Sequence, residues 1–370
     1  MHRVWKHILI ISPLFVFVAL MGFFIFYPVP KPPVGEMGNA RSAISNASKK
    51  NAAIYSETLF IEAKSSYDSA MLCWTRENEK HRYSRNFSKV SELASQASKK
   101  ALEASIDAES NTTNLNIKIR EKINELRKTD EDLNQRFSKY PMSTEMRNNI
   151  SKGEILLAEA EMEWSNKEYV QAQEKLDEVE KLLVPTYEYA DANLRSYFRS
   201  YPLWKKWADS TIAESRTNQD YSIIVDKFSR KVYVYYNGEL QLTYSAELGK
   251  NWVGDKKVRG DKATPEGMYE ITKKYEGDST SYYKALQINY PNDEDTALFE
   301  AALEKGSLPR SAKIGGMIQI HGDGGKGADW TAGCIAVTNR EMDTLFKISR
   351  IGTPVTIVGS LRDLRHALKR

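Results

Sequence analysis

The chain has 370 residues, 53 Lys and Arg against 49 Asp and Glu, and a formal charge of +4. That length suits about two or three domains of a folded rather than disordered or collagen-like type. So small a charge offers no concentrated basic face for nucleic acid, and two cysteines, Cys73 and Cys334, exclude a disulfide framework.

Residues 8–27 read ILIISPLFVFVALMGFFIFY, without a charge. About twenty such residues match what a helix needs to cross ~30 Å of hydrocarbon. Arg3 and Lys6 precede the run, so the positive-inside rule keeps the N-terminus cytoplasmic and exports the rest. A single pass through an inner membrane is expected, with residues 28–370 exported. A cleaved signal peptide is the competing reading. It wants a shorter apolar core and a small-x-small cleavage site, whereas Tyr27-Pro28-Val29-Pro30 follows here. Residues 28–35, PVPKPPVG, read as a semi-rigid proline-rich spacer.

Residues 36–215 read as helical. Ala40, Ile44, Ala47, Ala52, Tyr55, Leu59, Ala63, Tyr67, Ala70 and Trp74 form one apolar stripe on a long helix. A second stripe runs from Phe87 through Val90, Ala94, Ala97, Ala101, Ala104 and Ala108 to Phe137, with a break at Pro141. Small alanines permit close approach, as in a long antiparallel hairpin or coiled coil. Residues 142–184 predict a shorter helical hairpin closed by Pro185, followed by another amphipathic helix to about 215. Cys73, among helix formers beside Trp74, reads as a small buried apolar residue. This half reads as a structural spacer; any protein partner it has is unknown.

From Tyr221 the pattern changes to β. Tyr221–Asp226 and Lys231–Tyr236 alternate, Asn237-Gly238 is a two-residue hairpin turn, and Glu239–Leu248 returns. Further strands are expected at Met268–Lys273, Ala285–Tyr290, Gly316–His321 and Thr353–Val358, with helices at Glu294–Lys305 and Arg340–Ser349. The expected fold class is an α + β multidomain chain: an N-terminal transmembrane helix, a long helical hairpin or coiled coil, and a mostly-β C-terminal catalytic domain. Its parts are 1–35 (anchor and linker), 36–215 (helical spacer), 216–360 (catalytic domain) and 361–370 (tail).

Thirteen residues separate His321 from Cys334. An apolar strand leads into His321, a glycine-rich loop follows, and Gly333 precedes Cys334. Cysteine catalysis needs those parts: a thiol, a base and backbone free to bend around a substrate. His2 and His7 precede the apolar run, His81 is in the helical part and His366 in the tail, which leaves His321 as the base. Asp323, Asp329 or the Gly322 carbonyl would orient the imidazole. The amides of Gly333 and Cys334 are candidate oxyanion donors.

The residues His321-Gly322 and Thr331-Ala332-Gly333-Cys334-Ile335, with Gly249 and Lys262-Ala263-Thr264-Pro265-Glu266-Gly267-Met268-Tyr269 upstream, resemble the L,D-transpeptidase family of bacterial cell-wall enzymes. The resemblance covers about 220–360. It implies a β-sandwich-like catalytic domain in which Cys334 attacks a peptidoglycan stem peptide to form a thioester, without metal or organic cofactor. Peptidoglycan stem peptides are then the partner, and an amine from another stem the acceptor. Where many members carry a histidine and an Arg or Asn, this chain has Ala332 and Ala336, and residues 274–313, with Tyr282-Tyr283, read as an insertion over the site. Attack by water instead would make a carboxypeptidase or hydrolase; a non-catalytic wall scaffold is the remaining alternative. Thr331, Trp330 and Arg259 are candidate substrate-binding residues. Lys256 and Lys257 are further candidates for stem carboxylates, and Asn339 is expected to cap the helix that begins at Arg340.

Overall fold

The computed structural model describes residues 16–18, 21–22 and 29–368. The membrane-spanning helix expected over residues 8–27 is not retained: among the described residues no helix is long and apolar enough to cross a membrane. Residues 8–27 themselves lie outside the described residues, apart from 16–18 and 21–22. The single-pass inner-membrane location, which rested on that helix, is withdrawn with it. The chain is predominantly helical, with its strands confined to the C-terminal part.

By packing, the chain divides into residues 1–122 with 162–173, and residues 123–161 with 174–370. The division runs through the helical stretch. In the first unit, α1 (Val34–Lys49), α2 (Ala52–Tyr55) and α3 (Glu57–Glu79) replace the single long helix expected there. The chain turns at Asn51, whose φ of 57° is left-handed, a conformation asparagine adopts more readily than most residues. α1 and α3 then fold against the first part of α4 (Ser88–Arg136). Met37, Ala40 and Ala70 meet Phe87, Val90, Ala94 and Ala97 at one end; Ala47, Ala52 and Phe60 meet Ala104 and Ala108 at the other. The alanines let three helices approach closely, so a bundle forms rather than a two-helix rod. Cys73 packs half-buried against this cluster, and both cysteines are free thiols.

In the second unit, α5 (Thr144–Ser165, from its residues before 162) lies against α6 (Tyr169–Tyr197). A Cβ on Gly153 would sit 2.5 Å from Leu183 Cδ2, so glycine makes room for that leucine. Pro185 was expected to end its helix; instead α6 runs through it. Proline removes one backbone donor, but Leu176, Val179, Leu183, Ala190 and Leu194 form a buried stripe that spans the position. Packing outweighs the local penalty of about 3 kcal/mol.

After α7 (Tyr201–Asn218) comes an eight-stranded sheet in the order β3-β2-β1-β8-β4-β5-β6-β7. Its strands are β1 (Tyr221–Asp226), β2 (Lys231–Tyr236), β3 (Glu239–Ser245), β4 (Gly267–Glu276), β5 (Lys284–Ile288), β6 (Gln319–His321), β7 (Ile335–Ala336) and β8 (Pro354–Val358). α8 (Asp293–Glu304) lies between β5 and β6, and α9 (Asn339–Ile348) between β7 and β8. Beyond β3 the chain bends to pair Glu247 with Ala336 and Gly249 with Thr331. The two ends of the sheet therefore meet, and the curl brings the segment after β3 beside the His321–Cys334 loop.

The turn Thr264-Pro265-Glu266-Gly267 is fixed from below. Lys227, fully buried, donates to Gly254 O, Thr264 O and Glu266 Oε1, each at 2.7 Å. Glu266 also accepts from Tyr197 Oη (2.6 Å) and Trp204 Nε1 (2.9 Å). Trp204 fills the space a side chain at Gly359 would need, its ring 2.3 Å from where that Cβ would stand. The ends of α6 and α7 are thus part of the core of the sheet.

Candidate active site

β6 and β7 pair in parallel, Ile320 with Ile335 and His321 with Ala336. Cys334, one residue before β7, therefore stands beside Gln319, two positions from His321 along β6. Alternation puts Gln319 and His321 on one face.

His321 is fully buried, its Nδ1 2.6 Å from Gly322 O. With Nδ1–H donating to that carbonyl, the lone pair is left on Nε2. Nε2 is buried and has no hydrogen-bond partner among the described residues. Burial pushes the imidazole pKa down, partly offset by the Gly322 carbonyl and Asp323. The ring is clamped: Tyr282 stacks on it, centroids 3.6 Å apart and planes 11° off parallel, and Trp330 meets it edge-on at 5.8 Å. Tyr282 is brought there by β5, because Gly322 N donates to Lys284 O and Tyr283 N to Asp323 Oδ2.

Cys334 is half-buried. Its Sγ donates to Met317 O at 3.7 Å and is not hydrogen-bonded to His321. Burial pushes the thiol pKa up, opposed by the Gln319 amide and the Lys256 charge. Both shifts favour the uncharged form of the group concerned. Met317 holds a left-handed φ of 59° and is 64% exposed. For a residue with a long side chain that conformation is costly, and it lies in the loop that receives the thiol.

The remaining candidates divide. Thr331 is buried; its Oγ1 donates to Cys334 O (2.7 Å) and accepts from Gly333 N (3.1 Å), so it shapes the nucleophile turn from inside. That bond occupies the Gly333 amide, while the Cys334 amide is in none of these bonds. Asp329 is bound to Arg230 and to Leu248 N, and Asp323 Oδ2 to Tyr283 N; neither orients His321. Arg259 is exposed on a turn, its amide bonded to Lys313 O. The cation whose charge reaches Cys334 is Lys256, itself buried and paired with Asp261 at 2.7 Å. Lys257 is exposed.

Three residues have positions that the sequence did not indicate. Glu247 accepts from Gly327 N (2.5 Å) and Trp330 Nε1 (2.7 Å) and so ties down the glycine-rich loop. Asn339 was expected to cap α9, but Thr338 does so, in a reciprocal box with Glu341. Asn339 Oδ1 accepts instead from Asp323 N at 2.7 Å, in space left by Gly322, where a Cβ would lie 2.6 Å away. Tyr282 was read only as part of an insertion. The Ser/Thr-x-x-Glu spacing at Thr338 was a readable cap signal; the other two depend on the curl of the sheet.

Gly249 packs closely between Lys262 and the Gly333-Cys334 turn. A Cβ there would meet Lys262 O at 2.3 Å and Gly333 Cα at 3.1 Å. Gly249→Ala is therefore expected to destabilise the protein by about 1–3 kcal/mol, as overpacking does, and to slow alkylation of Cys334. A variant with wild-type urea midpoint and wild-type thiol reactivity would contradict the close approach.

Known proteins resemble part of this chain. Residues 220–357 match the L,D-transpeptidase catalytic domain model. A protein of Escherichia coli K12 named "Putative L,D-transpeptidase YafK" is 27% identical over 168 residues, 45% of this chain and 59% of that protein's length. Among solved structures, Bd1075 of Bdellovibrio bacteriovorus is 24% identical, covering 41% of this chain and 52% of the other, with a TM-score of 0.30. L,D-transpeptidase 1 of Mycobacterium tuberculosis is 15% identical, covering 38% and 61%, with a TM-score of 0.24. It is residues 220–357, the C-terminal part of the chain, that carry the match to the L,D-transpeptidase catalytic-domain family.

Proposed function

We propose that the chain is a cysteine acyltransferase acting on peptidoglycan stem peptides, with Cys334 as nucleophile and His321 as base. The observation that supports it most is the buried Nε2 of His321, unpartnered among the described residues and oriented from behind by Gly322 O, on the same face as the Cys334 turn. A buried polar atom without a partner is costly, and here it is the lone pair that a thiol proton needs.

The steps follow from the residues. The thiol leaves Met317 O and gives its proton to His321 Nε2 as Sγ attacks a stem-peptide carbonyl. The Cys334 amide faces the developing oxyanion. His321 returns the proton to the leaving amine, and a thioester remains. An amine from a second stem attacks the thioester, His321 takes its proton, and the thiol is regenerated. Because burial disfavours the charged form of both groups, proton transfer accompanies attack rather than preceding it. Tyr282 and Trp330 hold the imidazole plane throughout.

Intact mass after incubation with a carbapenem should show one covalent adduct on the full chain and none on Cys334→Ala. An equal adduct on Cys334→Ala would remove the nucleophile from the assignment. With tetrapeptide muropeptides, crosslinked dimers are expected; tripeptides without dimers would mean that water, not an amine, resolves the thioester.

A further inference from the structure

We propose that the cleft between residues 138–147 and the glycine-rich loop 325–329 docks a carboxylate-bearing peptidoglycan stem peptide. Part of the helical stretch would then form one wall of the substrate site. This deepens the acyl-transfer reading and rests on it.

The cleft has a volume of about 700 Å³. Lys139 and Arg147 line one wall; Lys231, Lys250, Gly325, Gly327, Ala328 and Asp329 line the other. The walls are joined, not merely adjacent: Lys139 O accepts from Arg230 Nη2 at 2.9 Å and from Trp252 Nε1 at 2.7 Å. Arg230 in turn pairs with Asp329 in the catalytic loop.

The charge in the cleft is unbalanced. Its two carboxylates are already engaged, Asp329 by Arg230 and Leu248 N, Glu247 by Gly327 N and Trp330 Nε1. The four cations Lys139, Arg147, Lys231 and Lys250 have no carboxylate partner among the described residues. Lys231 bonds only a serine hydroxyl, and Arg147 a carbonyl and a threonine hydroxyl. An anionic ligand complements that field.

The chemistry lies next door. Lys250 N donates to Thr331 O, and Gly325–Asp329 is the stretch of chain between His321 and Cys334. A ligand held here touches the segment that carries the nucleophile. The volume falls within the range of about 300–1,000 Å³ usual for discrete ligands. It fits a short peptide with several carboxylates better than an open track for a long phosphodiester chain.

The test is binding of a soluble tetrapeptide muropeptide to full-chain Cys334→Ala, followed by calorimetry at low and high salt. Reversing one cation from each wall, Lys139→Glu with Lys250→Glu, should weaken binding about tenfold at low salt, as two lost surface attractions imply. Amidating the stem carboxylates should weaken it similarly, without a further loss in the reversed protein. The exposed pair Lys206→Glu with Lys273→Glu, outside the cleft, should leave binding within twofold. If the double reversal melts early, Lys250→Ala is measured in its place, with a loss of about threefold expected. Unchanged affinity in the cleft variants, equal weakening by the outside pair, or tighter binding of polyphosphate than of the muropeptide would each overturn the docking assignment. Absence of a carbapenem adduct on the wild-type chain reports separately on the acyl-transfer reading.

Discussion

Replacing His321 with Gln is expected to slow acylation of Cys334 by about 10²–10⁴-fold at neutral pH, the usual contribution of a positioned general base. The shape of the pH profile separates this from a general loss of structure. In the wild type the base must be neutral. Burial lowers the His321 pKa, so activity should rise with pH through a value below the ordinary ~6.5 and then stay flat across neutrality. In His321→Gln the thiol has no base and reacts only as thiolate. Burial raises the Cys334 pKa, so the variant's rate should climb about tenfold per pH unit until beyond the ordinary ~8.5. The two profiles should converge at alkaline pH. A flat profile in His321→Gln, or a wild-type rate that tracks thiolate over the whole range, would show that the imidazole takes no proton from this sulfur. Tyr282→Leu makes a gentler version of the same test. It removes the ring stacked on His321 and leaves Nε2 in place, so a loss smaller than that of His321→Gln, with the flat region kept, is the expected result.

The parts of the candidate site were legible in the sequence because they are local. His321-Gly322, the glycine-rich loop and Gly333-Cys334 lie within one short stretch; alternation in β2 follows from burial of one face, and the continuous buried runs of β1 and β8 from burial of both. What escaped the sequence is set by distant partners. Glu247 reaches the catalytic loop only because the sheet curls until its first and last strands meet. Tyr282 covers His321 only because β5 pairs with β6. Thr331 matched the family motif and so read as a substrate contact, yet its hydroxyl turns inward to the backbone of the nucleophile turn. In the helical part, periodicity identified the apolar stripes but not their breaks. Asn51 turns the chain where the stripe continues, and Pro185 fails to stop a helix whose buried face spans it. Apolar periodicity reports which face is buried; it says little about where a backbone reverses.

Glu266→Ala is expected to destabilise the protein by about 3–5 kcal/mol, the cost of removing one partner from a buried ion pair. Glu266 and Lys227 have side chains 7% and 0% exposed, so water cannot replace the lost partner. Lys227 would keep Gly254 O and Thr264 O but lose its counter-charge, while Tyr197 Oη and Trp204 Nε1 would lose their acceptor. Urea unfolding followed by tryptophan fluorescence measures the loss; a value under about 1 kcal/mol would mean the network is not tight. Replacing both charges, Lys227→Met with Glu266→Leu, should recover only the part due to the unpaired charge, because Gly254 O, Thr264 O, Tyr197 Oη and Trp204 Nε1 would still lack partners. The same network predicts where the catalytic part can be cut. A fragment beginning at residue 216 has the whole family-matched segment but lacks Tyr197 and Trp204. It leaves the Glu266 carboxylate without two donors and opens the space above Gly359 that the Trp204 ring fills. A fragment beginning at residue 190 keeps both residues and should unfold at distinctly higher urea. Equal midpoints for the two fragments would show that the helix ends are appended to the sheet rather than built into its core.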